Sequence, residues 1–530
     1  MRFIVLLLPA IAYAQIDIGG RKQLFIDHKF IEAAEGIRLT PHAARSTRER
    51  VLQADAPWEK DAIIGSYDSV LEENGKIRLW YHVMAGEHPP GTNPPFMGVA
   101  YAESLDGVHF TKPALGLVEW NGSRANNLVM PPDPSLASLG GGSVMRDSNP
   151  NCPPGERYKS WSKLYGKPGS PLRGPHRVWY SPDGLRWKPY EGRVTGLRAA
   201  DTQPSWFWDP RVGRYTGYSR EWVREKAGFG ARMASYNESD DMLRWDSPYM
   251  ALFPDERDFA AAPASMIDMT RIRVKGEDVL PQRMTRTGAA VVREGEDQVL
   301  TPSAPADFYG PGVFPYEGVY IAAISMFYHW SGAGSRDAWP STADVHLAVS
   351  RDGRHFTRTE PRRPFLSTGP DGAFDSKWVW AMPNPVRRGD ELWFYYFGTN
   401  RDHSDRVDSG AKTKEGAIGR AVLRLDGFVS AEADYEGGWL TTPPVRFQGT
   451  RLELNLDAGA GGSARVEITE ESGRPIPGFT IFDSDEMSGD SVRKPVAWGG
   501  NRDVSALAGR PVRLRFKLRA ARLYAFQFVT

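Results

Sequence analysis

Five aspartates share one context, at or near the strand-like run that opens a repeated segment of the chain. They are Asp68 in GSYDSV, Asp147 in VMRDSNP, Asp201 in AADTQPSWFWD, Asp307 in ADFYGP and Asp375 in GAFDSKWVW. Asp is common in turns, so one such residue means little, and it is the recurrence at one structural position that singles these out. Carboxylates gathered round a common cavity suit cleavage of a glycosidic bond. One carboxyl group is protonated and assists the leaving oxygen while another stays ionised as base or nucleophile. Crowding like charges pushes their pKa values apart, which permits that division at one pH. Trp206, Trp208, Tyr309, Trp378 and Trp380 accompany the carboxylates and could stack on sugar rings or pack between neighbouring segments. Arg146, beside Asp147, is a further substrate-binding candidate. Trp80, Trp161 and Trp393 fall later in their segments and read as core.

Other chemistries find less support. The chain contains no GxSxG elbow, no HExxH and no Walker loop. Its 10 histidines are scattered; His329 and His403 are the nearest to the expected cavity and could help hold a central cation. The acidic loop Asp483, Asp485, Glu486 and Asp490 could bind calcium, but its spacing is not that of an EF-hand and it reads as a solvated turn. A structural or central Ca2+ is thus the one ion considered, and no cofactor is required. A sialidase needs an arginine cluster for its carboxylate substrate, and here Arg146 and Arg220 stand alone.

The elements that would position these residues follow a repeat. A turn leads into an aromatic strand five times: ENGKIRLWYH from Glu73, GERYKSWSKLY from Gly155, GRYTGYSREW from Gly213, EGVYIAAISMFY from Glu317 and GDELWFYYFG from Gly389. Each is followed by a strand that meets an Asp turn: AYAESLDGVHF at Ala100, VWYSPDGLRW at Val178, YNESDDMLRW at Tyr236, LAVSRDGRHF at Leu347 and AVLRLDGFV at Ala421. The Asp accepts from the backbone amides that follow and Gly supplies the positive φ. Asp106, Asp183, Asp352 and Asp426 are therefore structural, with Phe110, Trp187, Trp245 and Phe356 as packing partners. Five such units describe an all-β, five-bladed β-propeller, with blades near 65–110, 143–187, 201–245, 309–356 and 378–428. Residues 250–305 read as an insertion, with Asp255 to Asp258 solvated, and residues 15–64 as a lead segment bracing the propeller. After Ser430 the alternating strands LELNLDA, ARVEITEESGRPIPGF, VRLRFKLR and LYAFQFV indicate an antiparallel β-sandwich over 431–530.

Composition agrees with a soluble, turn-rich protein. Lys+Arg at 66 against Asp+Glu at 65 leaves no electrostatic footprint for nucleic acid or an anionic membrane. The one cysteine, Cys152, excludes an internal disulfide and a Cys-based zinc site. Met1-Arg2, the apolar run from Phe3 to Ala12 and Ala12-Tyr13-Ala14 make a secretory signal peptide over 1–14, so the mature chain is expected outside the cytoplasm. The run is too short to span a membrane.

The 21–530 span resembles secreted bacterial five-bladed propeller proteins related to the invertase/levanase and arabinanase/xylosidase glycoside hydrolases, which often carry a C-terminal β-sandwich. RDSNPNCPPGERYKSW from Arg146, DTQPSWFWDPRVGRYTGYSR from Asp201, the SxDGxxW/F turns and GGWLTTPPVRFQGTRLELNLDA from Gly437 carry the resemblance. It implies a first-blade nucleophile or base at Asp68, a second-blade transition-state stabiliser at Asp147 and a third-blade acid at Asp201, where the family has Glu. The invertase signature WMNDPNG is absent, and Glu221 lies one strand out. The acid could then be Asp201, Asp307 or Asp375. The expected function is a secreted glycoside hydrolase acting on a poly- or oligosaccharide. A non-catalytic carbohydrate-binding propeller and a sialidase-like hydrolase are the alternatives.

Overall fold

A computed structural model describes residues 15–530 apart from 61, 86–95, 136, 167–175, 197–201, 225–229, 261–271, 275–276, 280–282, 286–287, 291–305, 330–340 and 402–414. The chain is all-β and divides into two compact units, Ala43–Leu423 and a second built from Met1–His42 with Arg424–Thr530.

The larger unit repeats one motif, an antiparallel sheet meandering outward from a short inner strand. The inner strands are Ser69–Glu73, Ala137–Arg146, Ser205–Asp209, Ala306–Tyr316 and Trp378–Ala381. The fourth and fifth sheets join through a single bridge, Ala343 to Trp378. The outermost strand of the fifth sheet is Arg45–Gln53, which pairs antiparallel with Gly416–Arg424, so the start of this unit completes its last sheet.

Side chains stitch each inner strand to the next. Ser69 Oγ accepts from Val144 N (2.9 Å), Ser143 Oγ from Trp206 Nε1 (3.0 Å) and Ser205 Oγ from Val313 N (3.0 Å). Gly310 lets the Trp380 indole press on the backbone, where a Cβ would stand 2.5 Å from the ring. Trp380 then meets the Tyr67 ring edge-on at 5.5 Å, which closes the circle onto the first sheet. Sheets linked in such a ring make a β-propeller.

The Asp turns have the expected chemistry. In four of them an Asp Oδ1 accepts from two successive amides (Asp106, Asp183, Asp241, Asp352), and the Ser two residues earlier accepts the amide at the positive-φ position. The carbonyl at that position serves the neighbouring sheet: Gly184 O accepts from Trp80 Nε1, Gly353 O from Tyr218 OH and Gly107 O from Tyr395 OH, each at 2.7 Å. Asp426 differs. It has a positive φ of 62° itself, lies in the smaller unit, and bonds Lys22 and Asn455.

Residues 15–64 do not act as one brace. Ile16–Gly19, Gln23–Leu24, Ala33–Glu35 and Arg38–Pro41 are strands of the two six-stranded sheets of the smaller unit. Phe25 and Phe30 pack there with Phe516 and Phe526, in a core that draws on alternating strands such as Val512–Arg519. Asp258 is not solvated either: it is 2% exposed and paired with Arg358 at 2.6 Å and Arg362 at 3.1 Å. A carboxylate so buried needs such partners.

Candidate functional site

Asp68 owes its setting to an irregular edge in the first sheet. Ile63–Ile64 and Ser69–Glu73 both pair with Lys76–Ala85, and the residues between them bulge opposite His82. Gly65 and Ser66 take positive φ values of 92° and 116°, conformations open to glycine and strained for serine. The bulge turns the Asp68 side chain into the gap it leaves: Oδ1 accepts from His82 N (2.8 Å) and Oδ2 from Ser66 N (3.2 Å). The carboxyl is wholly buried, and burial pushes its pKa from 3.8 up to about 7 against the lowering effect of the two amides. The His82 ring lies beneath, with Nε2 2.9 Å from Leu139 O and Nδ1 3.2 Å from Ser66 Oγ. A carbonyl can only accept, so Nε2 carries the proton and Nδ1 accepts from the hydroxyl. Burial lowers the His82 pKa and keeps the ring neutral. From the third sheet, Gln203 Nε2 donates to the main-chain oxygen of Asp68 at 2.7 Å.

Beside Asp68 an aromatic floor runs across three sheets. Tyr67 meets Trp380, and Tyr309 stands edge-on to Trp380 (5.5 Å) and Trp378 (4.8 Å), with Phe327 behind it at 4.9 Å. Tyr67 and Tyr309 are partly exposed, while the two tryptophans are buried. Two guanidinium groups from the third sheet flank Tyr309, Arg220 at 5.0 Å and Arg232 at 5.6 Å from the ring centre. Arg232 also grips Asp307 through Nη1 (3.0 and 3.3 Å) and its main-chain N–H (3.2 Å). One end of the propeller therefore carries a neutral-leaning carboxyl, an ion-paired carboxylate, tyrosine faces and arginine.

Asp147 and Arg146 are not at that end. Ser69 and Val144 lie side by side, so Asp68 immediately precedes this level and Asp147 follows it by three residues, past the far end of its strand. There Asp147 accepts from Tyr215 OH (2.7 Å), Lys159 Nζ (2.9 Å) and Asn149 N (2.9 Å), and Arg146 pairs with Glu73 at 3.2 Å. The pattern recurs: Glu73 accepts from Tyr158 OH and Asp209 from Tyr320 OH, so each of these three acids ends an inner strand and takes a tyrosine from the next sheet. Asp375 sits against Gly398 on the face of the fifth sheet, where Oδ2 accepts from Tyr396 OH (2.8 Å) and from Arg48 Nη1 of the outermost strand (2.9 Å). Trp206 and Trp208 pack between the second and third sheets. Asp201 and His403, and the side chain of His329, lie outside the described residues.

Tyr67, Ser66, His82 and Arg232 were not among the sequence candidates. Tyr67 and Ser66 carried a signal, since they precede Asp68 in the same short motif; His82 and Arg232 are set by register between strands. The acidic loop of the smaller unit spends its charges locally: Asp483 on Thr480, Asp485 on Gly500 N, Glu486 on Arg465 and Asp490 on Arg424. Among the described residues no three His, Cys, Asp or Glu side chains gather as a metal site, and no helix is long and apolar enough to cross a membrane.

No protein-family model matches the chain, and no curated protein does. Solved structures do. A glycoside hydrolase matches over 72% of this chain and 92% of its own, with 12% identity and a TM-score of 0.42. A β-1,2-mannobiose phosphorylase from Listeria innocua, in complex with β-1,2-mannobiose, matches over 72% and 96%, with 12% identity and a TM-score of 0.39. A family 117 glycoside hydrolase from the marine bacterium Zobellia galactanivorans matches over 75% and 91%, with 13% identity and a TM-score of 0.36. At these values the function of this chain rests on its own residues.

Proposed function

We propose that this chain is a secreted glycoside hydrolase that works at the end of the propeller where Asp68 and Tyr309 stand. The observation that carries this reading is the Asp68 carboxyl, buried and held at about 7 beside an aromatic floor. A carboxyl of that kind keeps its proton near neutral pH and can lend it to a leaving glycosidic oxygen, as a general acid must. Asp307, ion-paired with Arg232, is the second carboxylate, suited to act as base or to steady positive charge developing on the sugar. Tyr309 and Tyr67, partly exposed, offer faces on which a pyranose can stack. Asp68 thus takes the acid role, where the family resemblance implied base or nucleophile. Asp147, at the opposite strand end, is left with a structural one.

The test is a screen of purified mature protein against plant, algal and microbial glycans, reading released reducing sugar. Wild type is expected to release sugar from at least one glycan. Asp68→Asn is expected to lower the rate by about 10²-fold or more, in line with loss of a general acid. Asp147→Ala is expected to keep its turnover per folded molecule. Full activity in Asp68→Asn would overturn the assignment.

One observation favours a second reading, a sugar-binding propeller without hydrolysis. Asp68 and Asp307 both spend hydrogen bonds on their own protein. In that case glycans bind, as read by calorimetry, and no reducing ends appear.

A further inference from the structure

The setting of Asp68 contains a strained residue. Ser66 holds a φ of 116°, and its amide reaches Asp68 Oδ2 from that conformation. The hydroxyl of the same residue is tied to His82 Nδ1, and His82 is fixed through Nε2 to Leu139 O on the inner strand of the second sheet. The chain of bonds therefore runs from one sheet, through a neutral imidazole, to the serine whose backbone faces the carboxyl.

We infer that Ser66 and His82 are positioning residues that set the proton affinity of Asp68, with the Ser66–His82 bond holding Ser66 in its strained conformation so that its amide stays on the carboxyl. This rests on the reading of Asp68 as the proton donor, and adds what tunes it. Strain of this kind persists only where surroundings over-determine it. With the tether, Asp68 accepts two amides, which favour its ionised form against burial. Without it residue 66 relaxes toward negative φ, the second amide leaves, and the carboxyl holds its proton more tightly. Among the described residues, the groups set against Asp68 are the His82 and Ser66 amides from its own sheet, Gln203 from the third, and the rings of Tyr67 and, beyond it, Trp380. His82 is the titratable group that couples through both its amide and its ring.

The experiment is an infrared titration of the full chain, with the Asp68 carboxyl band identified by its loss in Asp68→Asn. Ser66→Ala removes the tether and is expected to raise the Asp68 pKa by about one unit, a tenfold gain in proton affinity. His82→Phe removes the acceptor and shifts it in the same direction. Ser66→Gly also lacks the hydroxyl, but glycine adopts the positive φ without strain, so its titration is expected to stay close to wild type. Ser66→Ala titrating as wild type, or Ser66→Gly shifting as far as Ser66→Ala, would overturn the inference. The readout is the proton on Asp68 itself, so a chain that cleaves no glycan would sink the hydrolase reading and leave this result standing.

Discussion

Asp68 is buried against backbone amides, where Asp258, Asp307 and Asp375 are buried against arginines, and its burial has a consequence for stability with a definite sign. The folded protein binds this proton with a pKa near 7 and the unfolded chain near 3.8. Between those values the native state keeps a proton that the unfolded state has released, so rising pH favours unfolding. At about 1.36 kcal/mol per unit, the whole shift corresponds to at most about 4 kcal/mol, lost as pH climbs through that window. Denaturant unfolding at a series of pH values is expected to show this loss in wild type and a flatter profile in Asp68→Asn. Parallel profiles would mean that the carboxyl is solvated. Asp147 shows the opposite use of burial. It is matched to Lys159 and Tyr215, and truncating it leaves the buried Lys159 ammonium with its longer contacts to Glu156 (3.3 and 3.4 Å), so Asp147→Ala is expected to cost about 3 kcal/mol.

At the level of elements, the propeller is held by contacts that recur from sheet to sheet, and these were only half legible. The Ser-x-Asp-Gly turns could be read directly, because every partner in them lies within five residues along the chain. The tyrosines of GERY, GRY and GVY could be seen to repeat, but not what they bind. Tyr158, Tyr215 and Tyr320 reach back to Glu73, Asp147 and Asp209 of the preceding sheets, and only the assembled ring brings those pairs together. The same limit misplaced Asp147. Its strand was recognised, but the level at which neighbouring strands align was not, and three residues carry a side chain about 10 Å along a strand. Arg232 and His82 were missed for this reason too, since both act across sheets. Tyr215→Phe removes one hydroxyl from the lock and leaves Asp147 and Lys159 in place. It is expected to lower stability by about 1–3 kcal/mol in denaturant unfolding and to leave any glycan cleavage unchanged. A loss of activity with stability intact would move the working site to the other end of the propeller.

At the scale of the whole molecule, the feature that sequence reading could not supply is the ownership of the first strands. The segments at Ile16–Gly19, Gln23–Leu24, Ala33–Glu35 and Arg38–Pro41 are two to four residues long, too short for alternation to declare a partner. Their partners lie about 400 to 500 residues away, as in the parallel pairing of Ile16 with Val445 and the antiparallel pairing of Gln23 with Phe526. The 431–530 stretch was expected to be a sandwich on its own alternating strands, but its sheets take in strands from residues 15–42. Without residues 15–42 it lacks Phe25 and Phe30, so Phe516 loses the Phe25 ring and Phe526 loses both, keeping only each other. A fragment of residues 424–530 is therefore expected to unfold without a cooperative transition and to aggregate through its uncovered core. The same fragment with residues 15–42 joined behind Thr530 by a flexible linker restores every strand of the unit and is expected to melt cooperatively, as read by circular dichroism. Cooperative melting of 424–530 alone would show that the borrowed strands decorate this unit and do not complete it.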